Sequence, residues 1–104
     1  MQREYPKEKL LDVYRHMVQT RIFERECETL NKNKEILGSI HGSMGEEATS
    51  VGLAAVLRKD DLLAPSYRDP GALFMKGLTT LDLVGMLFAK ECGKAKGRTR
   101  VLHV

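Results

Sequence analysis

The sequence of 104 residues has little of several features that mark particular protein classes. Its two cysteines, Cys27 and Cys92, lie far apart, which is neither a metal-binding pattern nor a disulfide framework. A reducing, cytoplasmic location is the simplest expectation for such a chain. No apolar run approaches the ~18 residues that a membrane span needs, and a run such as 51–57 falls well short of it. The charged N-terminus also lacks the apolar core of a signal peptide, so we expect no membrane association.

What the chain does contain is typical of a globular protein: 42% hydrophobic and 30% charged residues, with a net charge of +3. Its length allows one domain. Residues 90–104 form a basic tail, in which only Glu91 opposes the positive side chains. The tail could neutralise nucleic-acid phosphates, but it lacks interleaved aromatic residues and a base-reading motif. A solvated linker is therefore the preferred interpretation of the tail, His103 included, and we expect no nucleic-acid partner.

The hydrophobic periodicity predicts a mainly helical chain, beginning with one long amphipathic helix over 7–31. Leu11, Tyr14, Val18 and Ile22 are spaced as one apolar face, which Phe23, Cys27 and Leu30 continue. The charged residues between them, Glu24 among them, are expected on a solvated or partner-facing side. Pro6 suits the entry to this helix because its missing N–H would be unpaired there anyway.

Further helices are expected at 44–57, from Pro70 to Lys76, and at 80–90. Ser43 with Glu46, and Thr79 with Asp82, have the spacing of helix capping boxes. The 44–57 and 80–90 segments are apolar on nearly all sides, which predicts burial. A short strand is expected at 62–64. Because so short a chain cannot cover all this apolar surface, we also expect self-association or marginal stability.

The segment Tyr67-Arg68-Asp69 lies between two prolines and is the first candidate for binding chemistry. An arginine offers a planar fork of donors that suits a diphosphate, and a neighbouring tyrosine hydroxyl adds another donor. From these three residues alone, a surface Arg68 that pairs with Asp69 in a turn is the simpler interpretation.

His41 is the second candidate, because it lies just before a predicted helix N-terminus. A histidine there could face an anionic substrate and donate to a carboxylate or carbonyl. The alternative is a loop histidine that hydrogen-bonds the backbone. Neither a glycine-rich nucleotide loop nor a metal-ligand pattern is present, so we assign no metal ligand and no catalytic residue.

Taken in order, seven segments resemble one family, and the resemblance covers residues 10 to 103. They are Tyr14-Arg15-His-Met17, Thr20-Arg21-Ile-Phe-Glu24, His41-Gly-Ser-Met-Gly-Glu-Glu-Ala48, Val51-Gly-Leu-Ala-Ala55, Ser66-Tyr-Arg-Asp69, Lys76-Gly77 and Lys96-Gly-Arg98. The chain resembles the N-terminal portion of the alpha subunit of thiamine-diphosphate-dependent 2-oxo acid dehydrogenases, the decarboxylating component of the pyruvate, branched-chain and acetoin complexes. The separation of 26 residues between His41 and Tyr67 also matches pyruvate-type members.

The resemblance implies that Tyr67 and Arg68 contact thiamine diphosphate, with Arg68 on its diphosphate, and that His41 serves the 2-oxo acid. Asp69 is more similar to branched-chain relatives. The implied fold is the N-terminal part of an α/β thiamine-diphosphate-binding fold whose parallel sheet is largely missing from 1–104. The implied activity is oxidative decarboxylation, with the acyl group passed to a lipoyl partner in a complex that includes a beta-type subunit, as a heterotetramer.

Departures from the family pattern bear on activity. Thr99-Arg-Val-Leu-His103 keeps only the histidine of the usual stretch, and Pro70 replaces a residue that is often histidine. The downstream Gly-Asp-Gly…Asn segment, which holds Mg²⁺ in the family, is absent before Val104. We therefore expect a truncated segment, inactive alone. One alternative is a non-catalytic interaction fragment that docks on a full-length subunit. Another is a basic protein that binds nucleic acid, which the ordered family motifs disfavour.

Overall fold

The computed structural model describes residues 4–98, which form four helices. In chain order these are α1 (Lys7–Lys32), α2 (Glu47–Ala54), α3 (Pro70–Met75) and α4 (Thr80–Leu87). No strand occurs within the described range, so the prediction of a mainly helical segment is confirmed. Arg100 and His103 of the basic tail lie outside the described residues.

Helix α1 matches its predicted span to within one residue, but of its predicted apolar face only Phe23 and Cys27 are buried. Its buried side chains are Thr20, Phe23, Glu24 and Cys27. The remaining apolar residues, Leu11, Tyr14, Val18 and Ile22, are exposed and form what we call the outer stripe. Residues two positions apart differ by about 200° around a helix, so Val18 and Thr20 lie on opposite sides. The helix thus has two apolar sides, and spacing alone does not say which one α2 and α3 cover.

The core joins the buried side of α1 to α3 and α4. The rings of Phe23 and Phe74 meet edge to face, with centroids 5.3 Å apart, and Leu83 and Met86 of α4 are completely enclosed beside them. Helices α2 and α3 cross closely at Gly71, where a Cβ would come within 2.5 Å of the Ser50 hydroxyl oxygen. A larger residue there would push aside the side chains of Ser50 and Val51 in α2.

Two predictions for α2 are wrong. Ser43 does not cap the helix, which begins at Glu47 with no side-chain cap bond at Glu46. Ser43 instead donates to the carboxylate of Glu24. The predicted segment is also not buried on all sides, because Leu53 in the helix and Val56 just after it are 62% and 65% exposed.

The second predicted capping box is confirmed at the start of α4. The Thr79 hydroxyl accepts from the Asp82 amide, and the Asp82 carboxylate accepts from the Thr79 amide. The helix ends at Leu87, short of the predicted residue 90, because Ala89 takes a left-handed φ of 52°. A left-handed residue cannot continue a right-handed helix.

The predicted strand at 62–64 is wrong. No strand within residues 4–98 pairs with this segment, and Leu62 is 99% exposed. The turn before it is held by Lys76, whose ammonium donates to the carbonyl oxygens of Arg58 and Asp61, both at 2.8 Å, and more distantly to that of Lys59.

An ion pair between Arg21 and Glu47 joins α1 to α2. The guanidinium binds the carboxylate with two N–H groups, and the Gly45 amide donates to the same carboxylate at 2.9 Å. Glu47 is buried, whereas Arg21 is partly exposed. The hydrogen bond from Arg21 is the main reason why the pKa of Glu47 falls from its ordinary 4.5 to about 2.

The low pKa of Glu47 predicts a loss of stability in acid. Its contribution is fully present above the ordinary value of 4.5 and is lost as the pH falls towards about 2, since protonation removes the charge that Arg21 binds. We expect Glu47→Gln to lower the free energy of unfolding by about 1.5–3 kcal/mol at neutral pH. The difference from the wild type should shrink as urea denaturation is repeated down to pH 2. Glu46→Gln, at an adjacent exposed carboxylate, is the matched control, and a difference that stays constant with pH would contradict this role.

The outer stripe predicts self-association of the chain. Tyr14 and Ile22 are 64% and 56% exposed. We expect sedimentation to show species larger than a monomer, and Tyr14→Ser with Ile22→Ser to reduce them. The thermal stability should hardly change, because substitutions at exposed positions usually cost less than about 0.5 kcal/mol. Leu62→Ser, an equally apolar change away from the stripe, should leave association intact. A wild-type chain that stays monomeric at its solubility limit would overturn the prediction.

Candidate functional site

His41, Tyr67 and Arg68, the three residues singled out in the sequence, lie together. The rings of His41 and Tyr67 have centroids 5.2 Å apart, although the residues are far apart in the chain. The guanidinium carbon of Arg68 lies 5.5 Å from the centroid of the Tyr67 ring, within the range of a cation–π contact. The contact between the tilted rings therefore brings two nitrogen-bearing side chains and a phenol to one place.

The turn that carries Tyr67 and Arg68 is closed by its own polar residues. The Asp69 carboxylate accepts from the Ser66 amide at 2.9 Å and from the Ser66 hydroxyl at 2.8 Å, and the Arg68 amide donates to that hydroxyl oxygen. The expected pairing of Arg68 with Asp69 is thus wrong, because Asp69 is engaged with Ser66. Arg68 makes no ion pair with any residue between 4 and 98, and its guanidinium is exposed.

The loop that carries His41 is attached to α1 at both ends. The Asn31 amide nitrogen donates to the carbonyl oxygens of Ile36 and Gly38, at 3.0 and 2.8 Å. Past His41, the Glu24 carboxylate oxygen Oε1 accepts from the amide and the hydroxyl of Ser43, at 2.8 and 2.7 Å. The ring of His41 itself makes no hydrogen bond within the part of the chain that the structure describes, contrary to the backbone-bonded alternative.

A cavity of about 330 Å³ opens beside His41 and Tyr67. Its walls are mostly apolar and come from α1, the His41 loop, the start of α3 and the end of α4. The lining residues are Phe23, Glu24, Cys27, Ser39, Ile40, His41, Gly42, Tyr67, Pro70 and Leu87. An apolar cavity with a few polar groups at one end is the usual form of a small-molecule site.

Glu24 is the polar residue of this cavity that the sequence analysis placed wrongly. The sequence predicts it on a solvated or partner-facing side of α1, yet only 6% of it is exposed within the chain. Its Oε1 binds Ser43, while Oε2 is enclosed and accepts no hydrogen bond from residues 4–98. The signal was available, since Glu24 lies four residues after Thr20 and three before Cys27, on the same side of the helix.

Cys27 lines the same cavity and is buried. Burial, together with the negative charges of Glu24 and Glu26, raises the pKa of its thiol to about 12. The thiolate is the reactive form of cysteine, so this thiol is inert at neutral pH. Cys27 therefore contributes an apolar wall and no nucleophile.

Two kinds of feature are absent from the described range, a metal-ligand cluster and a membrane-spanning helix. Between residues 4 and 98, no group of three or more His, Cys, Asp and Glu side chains is arranged to hold a metal ion. None of the four helices is long and apolar enough to span a membrane.

Comparison with known proteins gives a consistent family match. Residues 14–104 match the family model described as "Dehydrogenase E1 component". The chain is similar to the mitochondrial pyruvate dehydrogenase E1 component subunit alpha of Schizosaccharomyces pombe, with 36% identity over 97% of this chain and 25% of that protein. It is 35% identical to the Saccharomyces cerevisiae counterpart, over 97% of this chain and 24% of that protein. It is 33% identical to the pyruvate dehydrogenase E1 component subunit alpha of Porphyra purpurea, over 94% of this chain and 28% of that protein. The chain thus spans about a quarter of the length of the curated relatives it matches.

The burial of Cys27 predicts different reactivity for the two cysteines. In the folded chain at neutral pH, iodoacetamide should modify exposed Cys92 readily. A pKa of about 12 in place of 9.0 leaves roughly a thousandfold less thiolate at Cys27, before its burial is considered. Mass spectrometry of timed samples measures both rates, and urea should make them similar. Equal rates in the folded chain would contradict the structure around the cavity.

Proposed function

Because the chain belongs to the dehydrogenase E1 component family, we propose that it supplies one side of the active site of a thiamine-diphosphate-dependent 2-oxo acid dehydrogenase. The proposed reaction is oxidative decarboxylation of a 2-oxo acid, with transfer of the acyl group to a lipoyl-bearing partner. Pyruvate is the proposed substrate, since the relatives are named as pyruvate dehydrogenase components. Asp69 was the residue more similar to branched-chain members, and its bonds to Ser66 assign it to the turn.

One observation carries this proposal: His41 and Tyr67 line the same cavity, and the guanidinium of Arg68 lies against the Tyr67 ring. Packing does not require this arrangement, since Tyr67 and Arg68 are both exposed and the ring of His41 makes no hydrogen bond within residues 4–98. Exposed groups without partners, converging beside a cavity, are free to bind a ligand.

Arg68 and Tyr67 fit the diphosphate of the cofactor. The guanidinium is exposed and has no carboxylate partner in the described range, so it can offer its planar fork to phosphate oxygens without breaking an existing ion pair. The Tyr67 ring supports the guanidinium from one side, and the Ser66–Asp69 bonds hold the turn before any ligand arrives. A turn already held in place loses less conformational freedom on binding.

His41 is proposed to bind the 2-oxo acid. Its ring nitrogens have no partner between residues 4 and 98, and an imidazole N–H can donate to the carboxylate or carbonyl of the substrate. The bound cofactor would supply the ring that stabilises negative charge as carbon dioxide leaves. The role of His41 is to orient the substrate at the open end of the cavity, and the apolar walls limit the access of water.

Partners follow from the same proposal. A beta-type subunit and the rest of an alpha subunit would complete the pocket and provide the Mg²⁺ ligands, so the chain alone is proposed to be inactive. The outer stripe offers an apolar contact surface for such a partner. It equally favours the second candidate function, a non-catalytic fragment that docks on a full-length subunit. The cytoplasmic location stays a prediction, and the two yeast relatives are named as mitochondrial.

The proposal predicts that Arg68→Ala weakens cofactor binding. A hydrogen bond to a charged group is typically worth about 1.5–3 kcal/mol, which corresponds to roughly 10- to 100-fold in dissociation constant. The measurement is titration calorimetry with thiamine diphosphate and Mg²⁺ on the chain assembled with the remaining alpha-subunit sequence and a beta-type subunit.

Arg25→Ala is the matched control, since Arg25 is an exposed arginine on α1 with no ion pair in the described range. It should leave the affinity unchanged. An unchanged affinity for Arg68→Ala would show that Arg68 is only a turn residue. Cofactor binding without any turnover in the assembled protein would favour the docking fragment.

A further inference from the structure

Glu24 is a buried acid whose surroundings are not those of a residue selected for stability. One carboxylate oxygen accepts two hydrogen bonds from Ser43, while the other is enclosed without a donor from residues 4–98. A buried polar atom with no partner destabilises a fold, and most native structures contain few of them. An apolar side chain such as methionine would fill the same space without leaving an unpaired charge.

The bonds that Glu24 does make act on the loop that carries His41. Ser43 is two residues after His41 and is buried, and both of its donors converge on Oε1. The Asn31 side chain fixes the other end of this loop through two carbonyl oxygens. Asn31 and Glu24 both belong to α1. The loop that carries His41 is therefore held at both ends by the same rigid helix.

The ring of His41 has no such attachment of its own. It makes no hydrogen bond within the described part of the chain, and what defines its place is the backbone of its loop and its contact with Tyr67. Releasing Ser43 would therefore free the histidine, while the contact of the adjacent Phe23 with Phe74, which does not involve Ser43, would remain.

We infer that Glu24 is a positioning residue that holds His41 against Tyr67 at the rim of the cavity by anchoring Ser43. The consequence for catalysis rests on the proposed function, in which His41 binds the 2-oxo acid. The position itself is a property of the chain and can be measured without cofactor or partner.

The test is nuclear magnetic resonance on the 104-residue chain, with three variants of α1. Glu24→Ala removes the anchor, Glu24→Gln keeps an Oε1 acceptor for Ser43, and Glu26→Ala is a matched control at an exposed carboxylate two residues on. The readouts are nuclear Overhauser contacts between the His41 and Tyr67 rings and the exchange protection of the Ser43 amide. The contact between Phe23 and Phe74 reports whether the core is intact.

We expect Glu24→Ala to lose the His41–Tyr67 contact and to reduce the protection of the Ser43 amide by at least about tenfold, while the Phe23–Phe74 contact persists. Glu24→Gln should restore both, and Glu26→Ala should match the wild type. If Glu24→Ala unfolds, Ser43→Ala removes only the hydroxyl bond and should weaken the His41–Tyr67 contact in a folded chain. A folded Glu24→Ala or Ser43→Ala chain with a wild-type His41–Tyr67 contact would overturn the inference.

A second arm in the assembled enzyme separates this inference from the proposed function. Glu24→Ala should raise the KM for the 2-oxo acid about tenfold and leave the affinity for thiamine diphosphate unchanged, because Arg68 is not touched. A lost ring contact with an unchanged KM would keep the positioning role and reject His41 as a substrate residue. An unchanged contact would reject the positioning role, whatever the activity.

Discussion

The hydrogen bonds between Glu24 and Ser43 are the interaction on which the rest of this structure depends, because they attach the loop that carries His41 to α1. A carboxylate on the buried side of a 26-residue helix captures the backbone and hydroxyl of a loop residue 19 positions later. One turn earlier on the helix, Arg21 binds Glu47 and so attaches α2. The carboxylates of Glu24 and Glu47 thereby attach the segment that carries His41 to α1, through Ser43 and through Arg21. The site follows from this attachment, since Tyr67 then meets the histidine ring.

These contacts place polar groups where packing alone would favour apolar ones. Glu47 is compensated, because Arg21 and the Gly45 amide satisfy its charge and keep its pKa at about 2. Glu24 is compensated on one oxygen only. A chain that retains an incompletely satisfied acid beside a cavity gives up stability at that place, which is typical of functional sites. The opposite side of α1 shows a second such compromise, since the outer stripe leaves apolar surface exposed.

Sequence reasoning predicted the elements better than their orientations. The start of α1 after Pro6 and the Thr79–Asp82 cap of α4 depend on local chemistry, which the sequence displays directly. The buried side of α1 is the one of its two apolar sides that α2 and α3 cover. The spacing of apolar residues along the helix does not indicate which side that is. Ser43 and Asp69 were misassigned for a related reason: each has a tertiary or local partner, Glu24 and Ser66, that outcompetes the predicted one. His41, Tyr67 and Arg68 were identified, but only the folded chain brings them together.

The most direct test of this account is a crystal structure of the chain joined to the remaining alpha-subunit sequence and a beta-type subunit, with thiamine diphosphate and Mg²⁺ bound. The account predicts that the Arg68 guanidinium lies within hydrogen-bonding distance of a phosphate oxygen. It also predicts that the His41 ring remains against Tyr67, facing the site of the 2-oxo acid. A diphosphate bound away from residues 66–69, with Arg68 paired to a carboxylate, would contradict it.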